Sequence, residues 1–312
     1  MANIYLDYAA TSRKHFDIIE KNMNILKEVY ANPSSGHTLG KKNNRLVREG
    51  REKIANTLNA SSNEIIFNSG GTESNNTVFN HVLTRFETGE IIISSIEHPS
   101  VKASAKRLER FGFKVHELSV DESGSISLDE LKEKINSKTV LISIMLANNE
   151  TGVLNPIKEV SELIADKNIL LHSDIVQALG KVEIDVKKLG LDFASASAHK
   201  IGSLNNFGFL YAKDGDVEPF ILGGGQENGL RSGTSDLLGT LILADCTEET
   251  LSSIPKLREL KNYFISKLEQ SGIEFEVNGS AKNSLPNILN IYFKNIEAQR
   301  LITYLDAQSI YI

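Results

Sequence analysis

The stretch Glu64-Ile-Ile-Phe67-Asn-Ser-Gly-Gly71-Thr72-Glu-Ser-Asn75 runs from a short apolar segment of β type, through two glycines, into a segment of helical spacing. A strand that turns through glycine into a helix opens a βαβ unit, and the same alternation continues for roughly 150 residues. It predicts strands over 64–67, 90–95, 113–120, 139–146, 169–173, 192–197 and 207–212, which make one large, mostly parallel sheet. Crossover helices are predicted over 72–86, 99–111, 127–135 and 156–167, with Ser127 and Glu130 spaced as a capping box and Pro99 and Pro156 suited to first turns. The fold class is therefore α/β.

Before this region, the basic residues Lys41, Lys42, Arg45, Arg48, Arg51 and Lys53 fall on a helical period and read as a solvated helix face. After Ala212 the chain is rich in glycine from Gly223 to Gly233, and a helix from Leu237 leads into an α+β tail. We expect a large domain over residues 15–250 and a smaller one formed by 1–14 with 251–312.

Composition narrows the function. The 312 residues carry 34 Lys and Arg against 40 Asp and Glu, a formal net charge of −6, so no global positive field holds a nucleic acid. Cys246 is the single cysteine, which excludes an internal disulfide and suits the cytoplasm. The N-terminus lacks the pattern of a secretory signal, and no apolar run reaches the roughly 20 residues that cross a bilayer. The histidines and the cysteine follow no metal-binding spacing, so no metal site is expected.

Open α/β sheets bind ligands at the carboxyl ends of their strands, and three polar groups fall there. Gly71 and Thr72 start a helix after a strand, which taken alone reads as a plain glycine turn with a capping threonine but also suits one phosphate; the Lys-Ser or Lys-Thr of a Walker loop is missing. Asp174 ends a strand, either as a capping carboxylate or as the partner of a protonated heterocyclic nitrogen. Lys200, at a strand end with Ser197 and His199 just before it, is either a surface cation or an amine that forms a Schiff base. Phosphate cradle, carboxylate and lysine together are the three contacts that pyridoxal phosphate requires.

Eight blocks, Tyr5-Leu-Asp-Tyr-Ala-Ala-Thr11, Asn32-Pro-Ser-Ser-Gly-His37, Ser69-Gly-Gly-Thr-Glu-Ser-Asn-Asn76, Glu97-His-Pro-Ser100, Asn148-Asn-Glu-Thr-Gly152, Asp174-Ile-Val-Gln177, Ser197-Ala-His-Lys200 and Arg231-Ser-Gly-Thr234, occur in this order along the whole chain. They resemble the signature blocks of the cysteine desulfurases of iron–sulfur cluster assembly and nitrogen fixation, within the class V aminotransferase-like, fold-type I enzymes. The resemblance implies a dimeric pyridoxal phosphate enzyme that takes sulfur from L-cysteine and passes it to an acceptor or scaffold protein. It implies that Lys200 binds the cofactor aldehyde, Asp174 faces the ring nitrogen and Gln177 donates to the phenolic oxygen. His98 would stack on the ring and shuttle protons, where as a lone residue it would read as a structural histidine. Asn149 would lie beside the phenolic oxygen and substrate. Gly71, Thr72, Ser197 and His199 would hold the phosphate, and Thr234 would reach the phosphate of a second subunit.

Two departures stand against the pattern. The residues 201–207 lack the family's proline- and glycine-containing loop, which puts the geometry after Lys200 in question. The family's loop with the nucleophilic cysteine, and its carboxylate-binding arginine, would follow the 301–312 region, so their absence from these residues implies a smaller domain that is C-terminally incomplete and impaired sulfur transfer. Cys246 stands at no family catalytic position, and acidic neighbours Asp245, Glu248 and Glu249 mark it as structural. Another fold-type I reaction, or a non-catalytic cofactor-binding interaction protein, remains the alternative.

Overall fold

A computed structural model describes residues 3–280 and 283–312 of the chain. The chain enters through β1 (Ile4–Tyr5), α1 (Phe16–Glu28) and α2 (Thr38–Thr57), and then builds β2 (Ile65–Asn68), α3 (Gly71–Arg85), β3 (Glu90–Ser94) and α4 (Pro99–Glu109). Next come β4 (Lys114–Leu118), α5 (Leu128–Lys134), β5 (Thr139–Ser143), α6 (Ile157–Leu163), β6 (Leu170–Asp174), β7 (Phe193–Ser197) and β8 (Gly208–Ala212). The tail holds α7 (Leu237–Ser252), α8 (Ile254–Ser271), β9 (Phe275–Asn278), β10 (Asn290–Phe293), α9 (Ala298–Asp306) and β11 (Ile310–Tyr311).

Seven strands form one sheet in the order β2-β8-β7-β6-β5-β3-β4, and β8 alone runs antiparallel to its neighbours. Successive side chains of a strand point to opposite faces, so the apolar run Ile91-Ile92-Ile93 serves two cores at once. Ile91 and Ile93 pack with Phe79, Val82, Val101 and Leu108 of α3 and α4. Ile92 joins Ile142, Leu171, Ile54 and Leu243 on the face covered by α2 and α7. Both faces are covered, which is why these strands are apolar throughout and not alternating.

The expected seven strands and four crossover helices all form, and their ends shift by a few residues. Of the run expected as strand 139–146, β5 takes only 139–143, although Ile144 N and Leu146 N still donate to His172 O and Asp174 O of β6. Ser127 makes only half of a capping box: its Oγ accepts from Glu130 N at 3.2 Å, but Glu130 Oε2 turns to Ser119 N at 3.0 Å. The basic face of α2 is solvated at Lys41 and Arg45 but not at Arg51. That guanidinium bonds Glu227 at 2.6 and 2.7 Å, stacks over Phe67 and donates to Ile65 O, so it ties the glycine-rich segment to β2.

In the tail, β10 and β9 pair antiparallel, and β11 pairs parallel with β1. Residues from the two ends of the chain therefore share one small ladder.

The sheet meets the turn before α3 at a point with no room for a side chain. Gly208 of β8 opposes Asn68, and a Cβ on it would lie 2.6 Å from Gly70 Cα. Gly208→Ala is expected to destabilise the protein by about 1–3 kcal/mol through forced displacement of this turn. Urea unfolding measures it, and a midpoint equal to that of the unchanged chain would show that the turn yields freely.

Candidate active site

A cavity of about 730 Å³ opens at the carboxyl end of the sheet. Its wall includes Asp7, Ala9 and Ala10 from the N-terminal segment, Gly70, Gly71 and Thr72 from the start of α3, and His98, Asn149, Asp174, Gln177, Ser197, His199 and Lys200 from the strand ends. All the residues expected from the sequence except Thr234 thus meet in one place. Thr234 is exposed and lines no part of this chain's cavity.

On one side stands the helix start. Gly70 has φ +124°, a conformation that only glycine adopts easily, and a Cβ on Gly71 would lie 2.6 Å from Val176 Cγ2. Asn68 Oδ1 accepts from Gly70 N and Glu73 Oε2 from Ser69 N, which fixes the turn. Glu73 is held in turn by Arg231 at 2.8 and 3.1 Å. The first N–H groups of a helix have no intrahelical acceptor, so those of Gly71 and Thr72 are open to an anion, with the Ser197 hydroxyl close by.

Asp174 stands at the end of β6 and is 6% exposed. Burial pushes its pKa up, against the pull of the Asn75 amide, Val176 N and the charges of His98 and Lys200. Asn75 was not singled out from the sequence, yet it is the hub of the site. Its Nδ2 donates to Asp174 Oδ2 at 2.9 Å and to Ser100 Oγ at 2.8 Å, while its buried Oδ1 has no partner among the described residues. Ser100 Oγ lies 2.7 Å from His98 Nδ1, which also accepts from Ser100 N at 3.1 Å. Since Nδ1 accepts the backbone N–H, the ring proton of the neutral imidazole resides on Nε2.

Lys200 closes the cavity. It lies on the short turn after β7, and its Nζ donates to Ala9 O at 2.6 Å and Ala10 O at 2.9 Å. Desolvation lowers its pKa, with Asp174 and Asp7 opposing. His199 Nδ1 sits 3.2 Å from Thr11 Oγ1, and burial, with Lys200, Lys14 and Lys181, presses its pKa down to about 4. The loop 201–207, uncertain from its composition, is closed by Gly202 at φ +75°, by Ala198 N donating to Phe207 O, and by Lys14 Nζ bonding Ser203 O and Asn205 Oδ1.

Pyridoxal phosphate was the expected ligand, and the walls fit it. Open helix amides suit one phosphate, a buried carboxylate gains from a cationic partner, and the same cavity holds a lysine amine. Cys246, by contrast, is buried in α7 with its thiol pushed up to about 12 by desolvation, so it takes no part in the cavity. Among the described residues there is no group of His, Cys, Asp and Glu that could hold a metal ion.

Comparison with known proteins agrees with this cavity. The family profile described as Aminotransferase class-V matches residues 4–312. A protein named cysteine desulfurase IscS from Dictyoglomus turgidum is 39% identical over 314 residues, 98% of this chain and 80% of that one. One of the same name from Clostridium botulinum is 38% identical over 317 residues, covering 99% and 80%. Among solved structures, a NifS-like protein superposes with a TM-score of 0.94 at 36% identity, covering 99% of this chain and 87% of its own. A second, titled SspA in complex with cysteine, gives a TM-score of 0.86 at 32% identity over 98% and 87%.

One buried acid beside the site has a consequence for stability. Glu97 Oε1 accepts from Ser94 Oγ at 2.5 Å and from Met145 N at 2.8 Å, and Oε2 has no partner among the described residues. Desolvation raises its pKa to about 8. The folded protein therefore keeps a proton that the unfolded chain loses near pH 4.5, so this contribution to stability is complete below that pH and is lost as pH rises through 8. Glu97→Gln, which keeps the acceptor, should flatten stability against pH in this window by up to about 1.4 kcal/mol per unit. Urea unfolding at stepped pH checks it, and coincident slopes for the two proteins would refute it.

Proposed function

This chain belongs to the aminotransferase class-V family, and from that premise we propose that it is a pyridoxal phosphate-dependent enzyme of the cysteine desulfurase type, in which L-cysteine gives alanine and its sulfur passes to an acceptor thiol as a persulfide, a thiol that Cys246 does not supply. The observation that carries the proposal is the meeting, in one cavity, of the Lys200 amine, the buried Asp174 carboxylate and the open start of α3. Relatives named cysteine desulfurase, and a neighbour solved with cysteine, support the substrate.

Pyridoxal phosphate, when bound, supplies an electron sink for the bonds at the α-carbon of an amino acid. Gly71 and Thr72 N–H, with Ser197 and His199, would hold its phosphate, Asp174 its ring nitrogen and Gln177 its phenolic oxygen. Asp174 is suited to this because a carboxylate so poorly solvated gains most from a cationic N–H partner, and Asn75 and Val176 N hold it in one orientation. Lys200 has its ammonium form weakened by desolvation, which enlarges the fraction of free amine near neutrality. His98 has Nδ1 tied to Ser100, so Nε2 is the atom at which it gives and takes a proton. Asn149 offers an amide at the cavity wall for the substrate.

The proposal extends to a homodimer in the cytoplasm, in which Thr234 serves the phosphate of the second subunit and sulfur passes to an acceptor or scaffold protein for iron–sulfur cluster assembly or related traffic. In its support, Thr234 is exposed on a segment held by Arg231 and Glu227, and Leu222 nearby is 77% exposed.

Borohydride reduction of the cofactor-loaded protein should fix the cofactor on Lys200, read by peptide mapping, and Lys200→Ala should abolish the label. With an added thiol to accept the sulfur, Asp174→Asn should slow release of alanine from L-cysteine by about a hundredfold or more while leaving some cofactor bound. Labelling of a different lysine, or none, would overturn the assignment. Sedimentation should give a dimer, and Thr234→Ala should weaken cofactor retention; a loaded monomer would exclude the shared site.

A further inference from the structure

Gln177 and Lys181 follow β6 and are both buried, at 4% and 2% exposure. Lys181 Nζ donates to Gln177 Oε1 at 3.0 Å, and Gln177 Nε2 donates to Ala9 O at 2.9 Å. An ammonium has three donors and no acceptor, so the amide atom facing it must be oxygen, and Nε2 is turned the other way. Ala9 O also receives Lys200 Nζ. The Gln177 N–H and the Lys200 amine therefore converge on one point of the cavity wall, and Lys181 stands behind it without lining the cavity.

Lys181 is out of place as a structural residue. Lysine is almost never fully buried unless paired, yet among the described residues the ammonium of this one makes no ion pair, and the Gln177 oxygen is its one hydrogen-bond partner. An apolar residue of similar length would cost less in this position. Desolvation, with Lys200 adding to it, presses its pKa down to about 7. A cation in such a position is explained by an anion that the chain does not itself supply.

We propose that Lys181 is a positioning residue of the cofactor site, which turns the Gln177 N–H toward the cavity and sets positive charge behind it to receive an ionised phenolic oxygen. This rests on the reading of the cavity as a pyridoxal phosphate site. Lys181 acts through Gln177, and the other charged and titratable groups bearing on Lys200 are Asp174 of β6, Asp7 of the N-terminal segment and the adjacent His199.

The test compares the unchanged protein with Lys181→Met, Gln177→Leu and the double variant, each titrated with pyridoxal phosphate and followed by visible absorbance. Lys181→Met should raise the dissociation constant about tenfold, the size of one hydrogen bond to a charged group. It should also move the pH midpoint of the visible band upward, since loss of a nearby positive charge favours the protonated form. In the Gln177→Leu background the same substitution should lose most of its effect. The melting temperature of the cofactor-free protein should hold or rise, because methionine fills the space without a buried charge. An unchanged affinity and spectrum, a full effect without Gln177, or a drop in the cofactor-free melting temperature that accounts for the loss would each overturn the role. If the unchanged protein fails to capture the cofactor on Lys200, the functional reading itself falls; if it captures the cofactor and Lys181→Met behaves identically, only the role of Lys181 falls.

Discussion

An acid buried at the end of a central strand governs the arrangement of everything around it. Asp174 has lost most of its water, and a carboxylate in that position must be hydrogen-bonded or neutralised. Asn75 reaches it from α3, 99 residues away in sequence, and Val176 N from its own turn. Asn75 is held at its other N–H by Ser100, which in turn holds His98. Three separate segments are thus set by one carboxylate: the phosphate-facing helix, the histidine turn and the strand end that carries Gln177. The sheet makes this possible because β6 is its central strand, with β5 ending at Ser143 opposite His172 and β7 pairing Ser195 with Asp174.

The α/β class and the seven strands were legible because a doubly covered sheet needs apolar runs on both faces, and runs such as Ile91-Ile92-Ile93 have no other use. That Lys200, Asp174, Gln177 and His98 meet in one cavity was legible because they stand at or just after strand ends inside recognisable blocks. What was hidden depends on contacts distant in sequence. Glu130 was expected to cap its own helix and instead holds Ser119, and Arg51 was expected to face water and instead meets Glu227, 176 residues away. Asn75 sat unremarked within a quoted block, since an asparagine in a first helical turn gives no sign of which carboxylate it will meet. Lys181 was missed for a related reason: a lysine four residues after a glutamine reads as a solvated helix pair. The one signal available was the apolar character of its neighbours Ala178, Leu179 and Val182, which made a solvated position doubtful.

The carbonyl of Ala9, which receives both Lys200 and Gln177, bears on the order in which the molecule assembles. Its two donors lie 191 and 168 residues away, so the contact closes one of the longest loops in the chain. Closing such a loop costs entropy before it returns any contact energy, and pairings of this span form late. The ladder of the sheet and the turn before α3 are hydrogen-bonded without any residue of the segment 9–15 and can be in place beforehand. Lys200 would then spend the last stage of folding with its amine unanchored and its turn open to solvent. The molecule would acquire its architecture first and its chemical competence afterwards, in a separate docking event.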